Sequence, residues 1–306
     1  MDDKNVTATQ KLLRSVFNNE KFATDDYLRW LYLNNPSGKA ITIDINDDEG
    51  LLGHLAVVPT LFSNETNTSK IGLAIHVAVH KRGRKLGLFR KMAPEIAEKC
   101  KELDFGAIIG LANRLATPGW KKSDYEVIAP LPVCLLSALP FWSPDTTNHP
   151  VTDEFLTSPA FGDLLGRIDF TGRSGWEPTW SPEKLRWRLI APGATYTLHI
   201  GPSGAFISTA SKVKGMTVAI ILKTFPFLNS PSKNATHLLR AIAKFHKTPF
   251  LIYGGTNRNF KISGINIPRK YRPSPLNFIY KKLSDSPVFK SPLELATFEF
   301  LDFDAY

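Results

Sequence analysis

The first 140 residues alternate between helical and strand-like spacing of hydrophobic positions. Apolar residues at i, i+3 and i+4 predict helices, and apolar residues at every second position predict strands. Pro94 falls inside the longest predicted helix, but the apolar spacing from Phe89 to Leu103 still favours one helix. In chain order, the pattern predicts helices over about 7–19 and 25–34, strands over 40–46, 51–62 and 70–80, a helix over 86–103, a strand over 106–112, a short helix near 116–122 and a strand over 124–136.

A short repeat relates the two halves of the chain. Thr24 precedes Leu28-Arg29-Trp30 at the same distance at which Ser181 precedes Leu185-Arg186-Trp187, and both hydroxyl residues suit a helix N-cap. The spacing of 157 residues between the tryptophans is about half the chain and indicates duplicated domains, unless two capping sequences match by chance. The second half then predicts a strand over Val218–Thr224, a helix over about Ala235–Phe245 and a strand over Phe250–Tyr253.

Composition is that of an ordinary globular protein, with 306 residues, 43% hydrophobic and 22% charged. No apolar run reaches the ~20 residues that span a bilayer, and the acidic, polar N-terminus does not resemble a secretory signal. Cys100 and Cys134 do not make a disulfide framework and are expected to be core thiols. These features predict a cytoplasmic protein without a membrane span.

The formal net charge of +10 is concentrated in two clusters. One lies between Lys81 and Lys91, where six cations are interrupted by no acid, and the other runs from Arg258 to Lys290. Prolines and apolar residues interrupt the second cluster, so it is interpreted as a solvated surface and nucleic-acid binding is not favoured.

The first cluster follows a strand and leads into a helix. It contains Gly83 and Gly87 among the cations. Glycine allows the backbone to approach a ligand closely, and a helix N-terminus offers unpaired N–H groups and a positive partial charge. The sequence therefore predicts a site for a phosphorylated cofactor.

The residues Arg84-Lys85-Leu86-Gly87-Leu88-Phe89 resemble the [RQ]-x-x-G-x-[GA] loop of the GCN5-related N-acetyltransferase (GNAT) superfamily, which binds the pyrophosphate of acyl-CoA. Downstream, Asn113, Ala116 and Trp120 resemble the family's N-x-x-A-x-x-x-Y segment, and the resemblance covers residues 50–130. Phe89, Trp120 and Asp124 depart from a small residue, a tyrosine and a glycine. The resemblance implies tandem α/β (α+β) lobes, each with a mixed, mostly antiparallel central sheet flanked by helices.

The predicted domains are a GNAT acyl-CoA-binding lobe over 1–140, a connector over 141–160 and a degenerate GNAT-like lobe over 161–306 that shapes the acceptor site. Four prolines between residues 140 and 160 indicate the connector. The second lobe has Phe225–Pro231 where the glycine-basic loop should be, so a single acyl-CoA site is expected. Gly254-Gly255 is interpreted as a turn rather than a ligand-facing loop.

The resemblance also implies which residues bind the donor, acetyl-CoA or another acyl-CoA. Backbone groups of the strand and loop would contact pantetheine and pyrophosphate, the cations would attract the phosphates, and Asn113 and Trp120 would lie near the thioester and pantetheine. The full set is Val77, Val79, Arg82, Gly83, Arg84, Lys85, Leu86, Gly87, Leu88, Phe89, Arg90, Asn113 and Trp120.

The candidate catalytic residues are His76, His54, Asn113 and Tyr125. Histidine is the side chain most easily tuned near neutral pH, so His76 is ranked first as the base and His54 second, with a route through water left open. Alternation along the strand places His76 opposite Val77 and Val79. An indole cannot protonate a thiolate, so Trp120 is not an acid and Tyr125 is the nearby alternative.

The predicted function is N-acyl transfer from CoA, with acetyl-CoA as the expected donor, to the primary amine of a small molecule. The resemblance suggests an amino sugar of a surface-polysaccharide pathway or an amino acid as acceptor, and neither leaves a mark in the sequence. The alternative is a GNAT-fold ligand-binding or scaffold protein without turnover. No metal ligand set is recognised, and the oligomeric state is left open.

Overall fold

A computed structural model describes residues 3–17, 24–139, 145–171, 175–230, 234–284 and 295–303 of the chain. These residues form two compact units. The first unit comprises the described residues of Met1–Pro130, Ile190–Gly193 and Ser274–Glu294. The second comprises those of Leu131–Leu189, Ala194–Pro273 and Leu295–Tyr306.

The elements are numbered along the whole chain. The first unit contains helices α1 (Asp3–Val16), α2 (Asp25–Tyr32), α3 (Leu88–Glu102) and α4 (Thr117–Lys121), and strands β1 (Ile41–Asp47), β2 (Gly50–Ser63), β3 (Thr68–Val79), β4 (Ala107–Ala112), β5 (Glu126–Pro130) and β14 (Asn277–Lys282). Its sheet has the order β1-β2-β3-β4-β14-β5, in which β3 and β4 run parallel and the other neighbours antiparallel.

The second unit repeats this arrangement. It contains strands β6 (Val133–Ser137), β7 (Thr147–Pro150), β8 (Glu177–Pro178), β9 (Thr197–Ile200), β10 (Gly204–Val213), β11 (Met216–Pro226), β12 (Phe250–Thr256), β13 (Ile265–Asn266) and β15 (Phe298–Glu299), and helices α5 (Asp153–Thr157), α6 (Pro159–Arg167), α7 (Pro182–Leu189) and α8 (Thr236–Phe245). Its sheet has the order β13-β6-β12-β11-β10-β9-β7, and β11 and β12 form the parallel pair. The predicted fold class of two mixed, mostly antiparallel sheets with flanking helices is therefore confirmed.

The repeated Leu-Arg-Trp segments are two equivalent helices. Thr24 caps α2, because its hydroxyl accepts from the backbone N–H of Tyr27 at 3.2 Å, and the Ser181 hydroxyl accepts from Lys184 N–H at 3.1 Å at the start of α7. Each satisfies a donor that the first helical turn leaves without a partner. The two halves are thus related as the repeat predicts.

In each sheet, a strand from a distant part of the chain lies between two strands that follow one another in sequence. In the first unit, β14 pairs along all six residues with β4 and separates it from β5. In the second unit, β6 pairs along all five residues with β12 and separates it from β13. The two sheets therefore exchange equivalent strands, which continues the correspondence between the repeats.

This exchange corrects three boundaries. The predicted strand over 124–136 is two strands, β5 and β6, which belong to different units and are interrupted at Pro132, a residue without an N–H donor. The first unit does not end near residue 140, because it includes β14. The predicted connector is regular structure where it is described, since Pro150 ends β7 and Pro159 occupies the first position of α6.

The first unit has its core between α3 and the sheet. Met92, Ile96 and Cys100 of α3 are buried against Leu55 of β2 and Ile279 of β14. Pro94 is contained within one continuous helix, as the spacing predicts. Side chains alternate along β2, so that Leu55 faces α3 while its neighbour His54 faces the opposite side, where it contacts α2.

Substitution of the exchanged strand tests the topology. Ile279→Ala should lower the free energy of unfolding by about 2–5 kcal/mol, because Ile279 is 1% exposed and the core cannot close completely around the lost methyl groups. Ile265→Ala in β13 is the matched control, since Ile265 is 77% exposed and should change little. Denaturant unfolding of both variants measures the difference, and equal stability would contradict the position of β14.

Candidate active site

The parallel strands β3 and β4 separate in the middle of the first sheet. Their pairing runs from Ile71↔Ala107 to Ala74↔Gly110 and then ends, although β3 continues to Val79. Within the described residues, no strand pairs with β3 beyond this point on the β4 side. The separation leaves an open strand edge.

A β-bulge lies where the strands separate. The pairing of β2 with β3 changes from His54↔Ala78 to Ala56↔Ile75, so that β3 has one extra residue. His76 is in the left-handed region at φ 48°, an uncommon conformation for a side chain other than glycine. The alternation of side chains is therefore broken at His76. Ala74 contacts the same core as Val77 and Val79, whereas strict alternation along the sequence predicts that Ala74 lies on the opposite face from them.

The open edge presents backbone groups of Val77 and Val79. His80 N–H donates to Leu52 C=O at 2.8 Å, so His80 and, two residues earlier, Ala78 direct their backbone groups toward β2. Antiparallel strands alternate in this respect, so Val77 and Val79 direct theirs away from β2, toward the gap. This orientation suits the backbone pairing that the sequence predicts for them.

The loop after β3 has two structurally different glycines. Gly83 is buried, and a Cβ there would lie 2.8 Å from Leu88 Cδ1. Gly87 is the N-cap of α3 at φ 67°, with nothing within 4 Å of an added Cβ. Close packing requires the first glycine, and the left-handed backbone favours the second. An open helix N-terminus results, as the loop pattern predicts.

Charge around this N-terminus is strongly positive. Arg82 is paired, with Nη2 2.8 Å from Asp47 Oδ1 and Nη1 2.5 Å from Glu49 Oε2. Its predicted phosphate role is therefore weakened, because both partners lie at the β1–β2 turn and satisfy the guanidinium. The five remaining cations are exposed and form no ion pair with any described residue; they are Lys81, Arg84, Lys85, Arg90 and Lys91.

The two predicted bases are connected by a hydroxyl that sequence reasoning missed. The Tyr32 hydroxyl lies 2.7 Å from His76 Nδ1 and 3.0 Å from His54 Nε2. His54 Nδ1 lies 2.5 Å from Asp44 Oδ1. Four side chains from α2, β1, β2 and β3 thus form one hydrogen-bonded chain, in the order Asp44, His54, Tyr32, His76.

Burial distinguishes the two histidines. His54 and Tyr32 are fully buried, whereas His76 is partly exposed at the bulge. Burial lowers the pKa of His54, outweighing the Asp44 carboxylate, which raises it. His54 is therefore neutral near neutral pH and has no surface on which to meet a substrate. Of the two candidates, only His76 is accessible to act as a base.

The other predicted catalytic and pantetheine residues have structural contacts. Tyr125 and Trp120 are buried in the core between α3 and the sheet, with their ring centroids 4.5 Å apart. Burial raises the pKa of Tyr125. The Tyr125 hydroxyl is directed at Ala93 C=O, which does not favour its role as an acid. The Phe89 and Trp120 ring centroids lie 5.0 Å apart, so two of the three departures from the family pattern pack against each other.

Asn113 forms a turn at the end of β4. Its side-chain oxygen accepts from Leu115 N–H at 3.0 Å and Ala116 N–H at 2.8 Å, and its C=O accepts from the Thr117 hydroxyl at 2.6 Å. The residue is exposed and close in sequence to the point where β4 leaves β3. It directs the chain into α4, and its role toward a ligand stays a prediction.

The second unit repeats the strand separation and fills it. Pairing of β11 with β12 ends at Ile221↔Tyr253, and Leu222 is the extra residue of an equivalent bulge. The Glu299 carboxylate then accepts from Thr224 N–H at 3.2 Å and from the Tyr253 hydroxyl at 2.9 Å. In the second unit, the C-terminal segment therefore occupies the position equivalent to the open gap between β3 and β4 of the first unit.

Glycine and buried charge hold this C-terminal segment. A Cβ on Gly254 would lie 2.1 Å from Phe300 Cζ, and one on Gly255 2.3 Å from Phe298 O, so both glycines belong to packed strand rather than a turn. Lys223 Nζ lies 2.8 Å from Asp302 and 3.2 Å from Glu299. Burial acts to lower the pKa of Lys223, but these two carboxylates outweigh it and raise the pKa.

Comparison with solved structures identifies the architecture. The chain matches a probable N-acyltransferase of Enterococcus faecalis V583 at 12% identity with a TM-score of 0.60, over 92% of this chain and 71% of that one. The fold is tandem GNAT-like. A GCN5-related N-acetyltransferase from Anabaena variabilis ATCC 29413 has the same identity and coverage with a TM-score of 0.58. Eis1 from Mycobacterium abscessus matches at 9% identity, with coverage of 92% and 70% and a TM-score of 0.53.

These likenesses are of fold. No protein-family model matches the sequence of this GNAT-like chain, and no curated protein matches it. Among the described helices none is long and apolar enough to cross a membrane. In the same part of the chain, no three His, Cys, Asp or Glu side chains are grouped so as to hold a metal ion.

The buried histidine predicts a pH-dependent stability. The unfolded state binds a proton at His54 below about pH 6.5, which the folded state resists, so stability should fall as the pH drops below 6.5. One such site contributes up to about 1.4 kcal/mol per pH unit. Denaturant unfolding between pH 7.5 and 5.5 should show a flatter dependence for His54→Gln than for the wild type. An identical slope would mean that His54 takes up its proton equally in the folded and unfolded states.

Proposed function

We propose that the protein is an acyl-CoA-dependent N-acyltransferase whose first unit binds the donor. The observation that carries the proposal is the contrast between the two units. The same strand separation is open in the first and filled by the C-terminal segment in the second. In the first unit, the strand that borders the gap is followed by a glycine N-cap surrounded by exposed cations.

The residues present fit acyl-CoA. Its pantetheine carries amides that can pair with an open strand edge, which supports a role for the backbone of Val77 and Val79. Its phosphates require N–H donors and positive charge, which Gly87, the first turn of α3 and Arg84 can offer. Lys85 and Arg90 add positive charge at the surface. The likeness to N-acetyltransferases supports acetyl-CoA as the donor.

His76 is the proposed base. Bound acyl-CoA supplies a thioester carbonyl, at which an amine forms a C–N bond as the C–S bond breaks. His76 accepts the proton that the amine nitrogen loses, and return of this proton to the sulfur balances the reaction without net change on the enzyme. The acceptor is proposed to be the primary amine of a small molecule, with amino sugars and amino acids as the classes to screen.

Binding of the donor tests the loop. Arg84→Ala combined with Gly87→Asp should weaken acetyl-CoA binding, measured by isothermal titration calorimetry, at least about 30-fold, or about 2 kcal/mol, because a cation is lost and an anion is placed at the helix N-terminus.

The stoichiometry of binding tests the second unit. Isothermal titration calorimetry of the wild type should give one acetyl-CoA site per chain. Two equivalent sites would contradict the assignment of the second unit as filled.

A matched control separates the effect of the loop substitutions from folding. Arg269 is an exposed arginine and Gly215 an open turn glycine at φ 83°, both in the second unit. Arg269→Ala combined with Gly215→Asp removes the same charge and imposes the same backbone strain without affecting the loop. The control should bind acetyl-CoA like the wild type, and equal binding by both double variants would refute the site.

Turnover tests the base. His76→Gln should lower kcat by about 10²–10⁴-fold while acetyl-CoA binding is retained, because the proton acceptor alone is removed. The measurement is release of free thiol from acetyl-CoA with a panel of amino sugars and amino acids. Thiol release that is unaffected by the substitution would favour a water molecule as the base. No release with any amine that binds would favour a ligand-binding protein.

A further inference from the structure

The hydrogen-bonded chain from Asp44 to His76 has only one arrangement of protons when both histidines are neutral. Asp44 as a carboxylate can only accept, so His54 must carry its proton on Nδ1 and donate to Asp44 Oδ1 over 2.5 Å. His54 Nε2 then bears the lone pair. It is an acceptor for the hydroxyl 3.0 Å away.

The polarity continues through Tyr32 to the bulge. The single hydroxyl proton of Tyr32 is directed at His54, so its oxygen faces His76 Nδ1 at 2.7 Å as an acceptor. His76 must therefore carry its proton on Nδ1. Its lone pair is then on Nε2, the ring nitrogen that points away from Tyr32.

We propose that Asp44, His54 and Tyr32 form a positioning relay that holds His76 as its Nδ1–H tautomer, so that Nε2 is the atom that accepts the proton in acyl transfer. The relay's role in acyl transfer rests on the proposed function, whereas the assignment of the His76 tautomer does not. None of the three residues is assigned a contact with substrate, and each acts through the next.

The surroundings suit this role. His54 and Tyr32 are fully buried and Asp44 is about 20% exposed, so the relay is protected from water over most of its length. Burial lowers the pKa of His54, which keeps it neutral and preserves the direction of the hydrogen bonds. The rings also restrain His76, since Tyr32 lies 5.7 Å and Tyr27 6.4 Å from it, centroid to centroid.

The tautomers can be measured without any substrate. In protein labelled with ¹⁵N-histidine, long-range ¹H–¹⁵N correlation spectra at pH 8 distinguish a protonated from a bare ring nitrogen, and His54→Gln and His76→Gln assign the signals. We expect Nδ1–H for both residues in the wild type. His76 as Nε2–H, or doubly protonated, would overturn the relay, and each variant needs to fold only well enough to show which signals disappear.

Tyr32→Phe breaks the relay at its centre and keeps the ring. His54 should remain Nδ1–H, held by Asp44, whereas His76 should lose its preference for Nδ1–H. Tyr280→Phe is the matched control, because Tyr280 is an equally buried tyrosine of the same unit whose hydroxyl has no hydrogen-bond partner among the described residues. An unchanged His76 tautomer in Tyr32→Phe would overturn the proposal.

Kinetics then connect the relay to turnover. With an accepted amine, Tyr32→Phe should lower kcat by about 10–100-fold with unchanged acetyl-CoA affinity, and Tyr280→Phe should leave both in place. Full turnover by Tyr32→Phe would overturn the positioning role while the acyltransferase assignment stands. If the wild type binds no acyl-CoA, the proposed function fails instead. The NMR spectra then still decide the direction of the hydrogen bonds from Asp44 to His76.

Discussion

The site depends on where two parallel strands stop pairing. A backbone group that loses its ladder partner inside a protein must find another partner, because an orphaned buried N–H or C=O is costly. Both units create this requirement at the same place, after Ala74 in β3 and after Ile221 in β11, each beside a bulge. In the second unit Glu299 satisfies Thr224 N–H. No described segment meets the requirement in the first unit, and this open edge supports the proposed donor site.

Filling the second gap has required a buried charged network. Removing Lys223 and Glu299 from water is expensive unless their charges are paired and their remaining donors and acceptors are hydrogen-bonded. Asp302 and Tyr253 complete that pairing, and the two glycines of β12 bring the segment close enough to do so. Such a closely packed arrangement leaves no room for pantetheine. This filled gap is consistent with the missing glycine-basic loop, and the degeneracy of the second unit stays a prediction.

Local patterns predicted what is local. Hydrophobic spacing located α2, α3 and β11, and the glycines and cations located the helix N-terminus at Gly87. Strand exchange escaped prediction because a strand's own alternation does not specify its neighbour, so nothing in Asn277–Lys282 indicates pairing with β4. The relay escaped for the same reason, since Tyr32 and His76 are 44 residues apart and meet only when the sheet has formed.

The bulge at His76 accounts for two properties of the site together. Along an unbroken strand, His76 would share a face with Ala74, which contacts the α3 core. The extra residue reverses that alternation, so Val77 and Val79 contact the α3 core while His76 contacts Tyr32 of α2. The pairing with β4 also ends beside this bulge, at Ala74, which leaves open the edge on which Val77 and Val79 present their backbone groups. The proposed donor edge and the proposed base are therefore linked by one irregular stretch of backbone, and a regular strand here would not place His76 beside Tyr32.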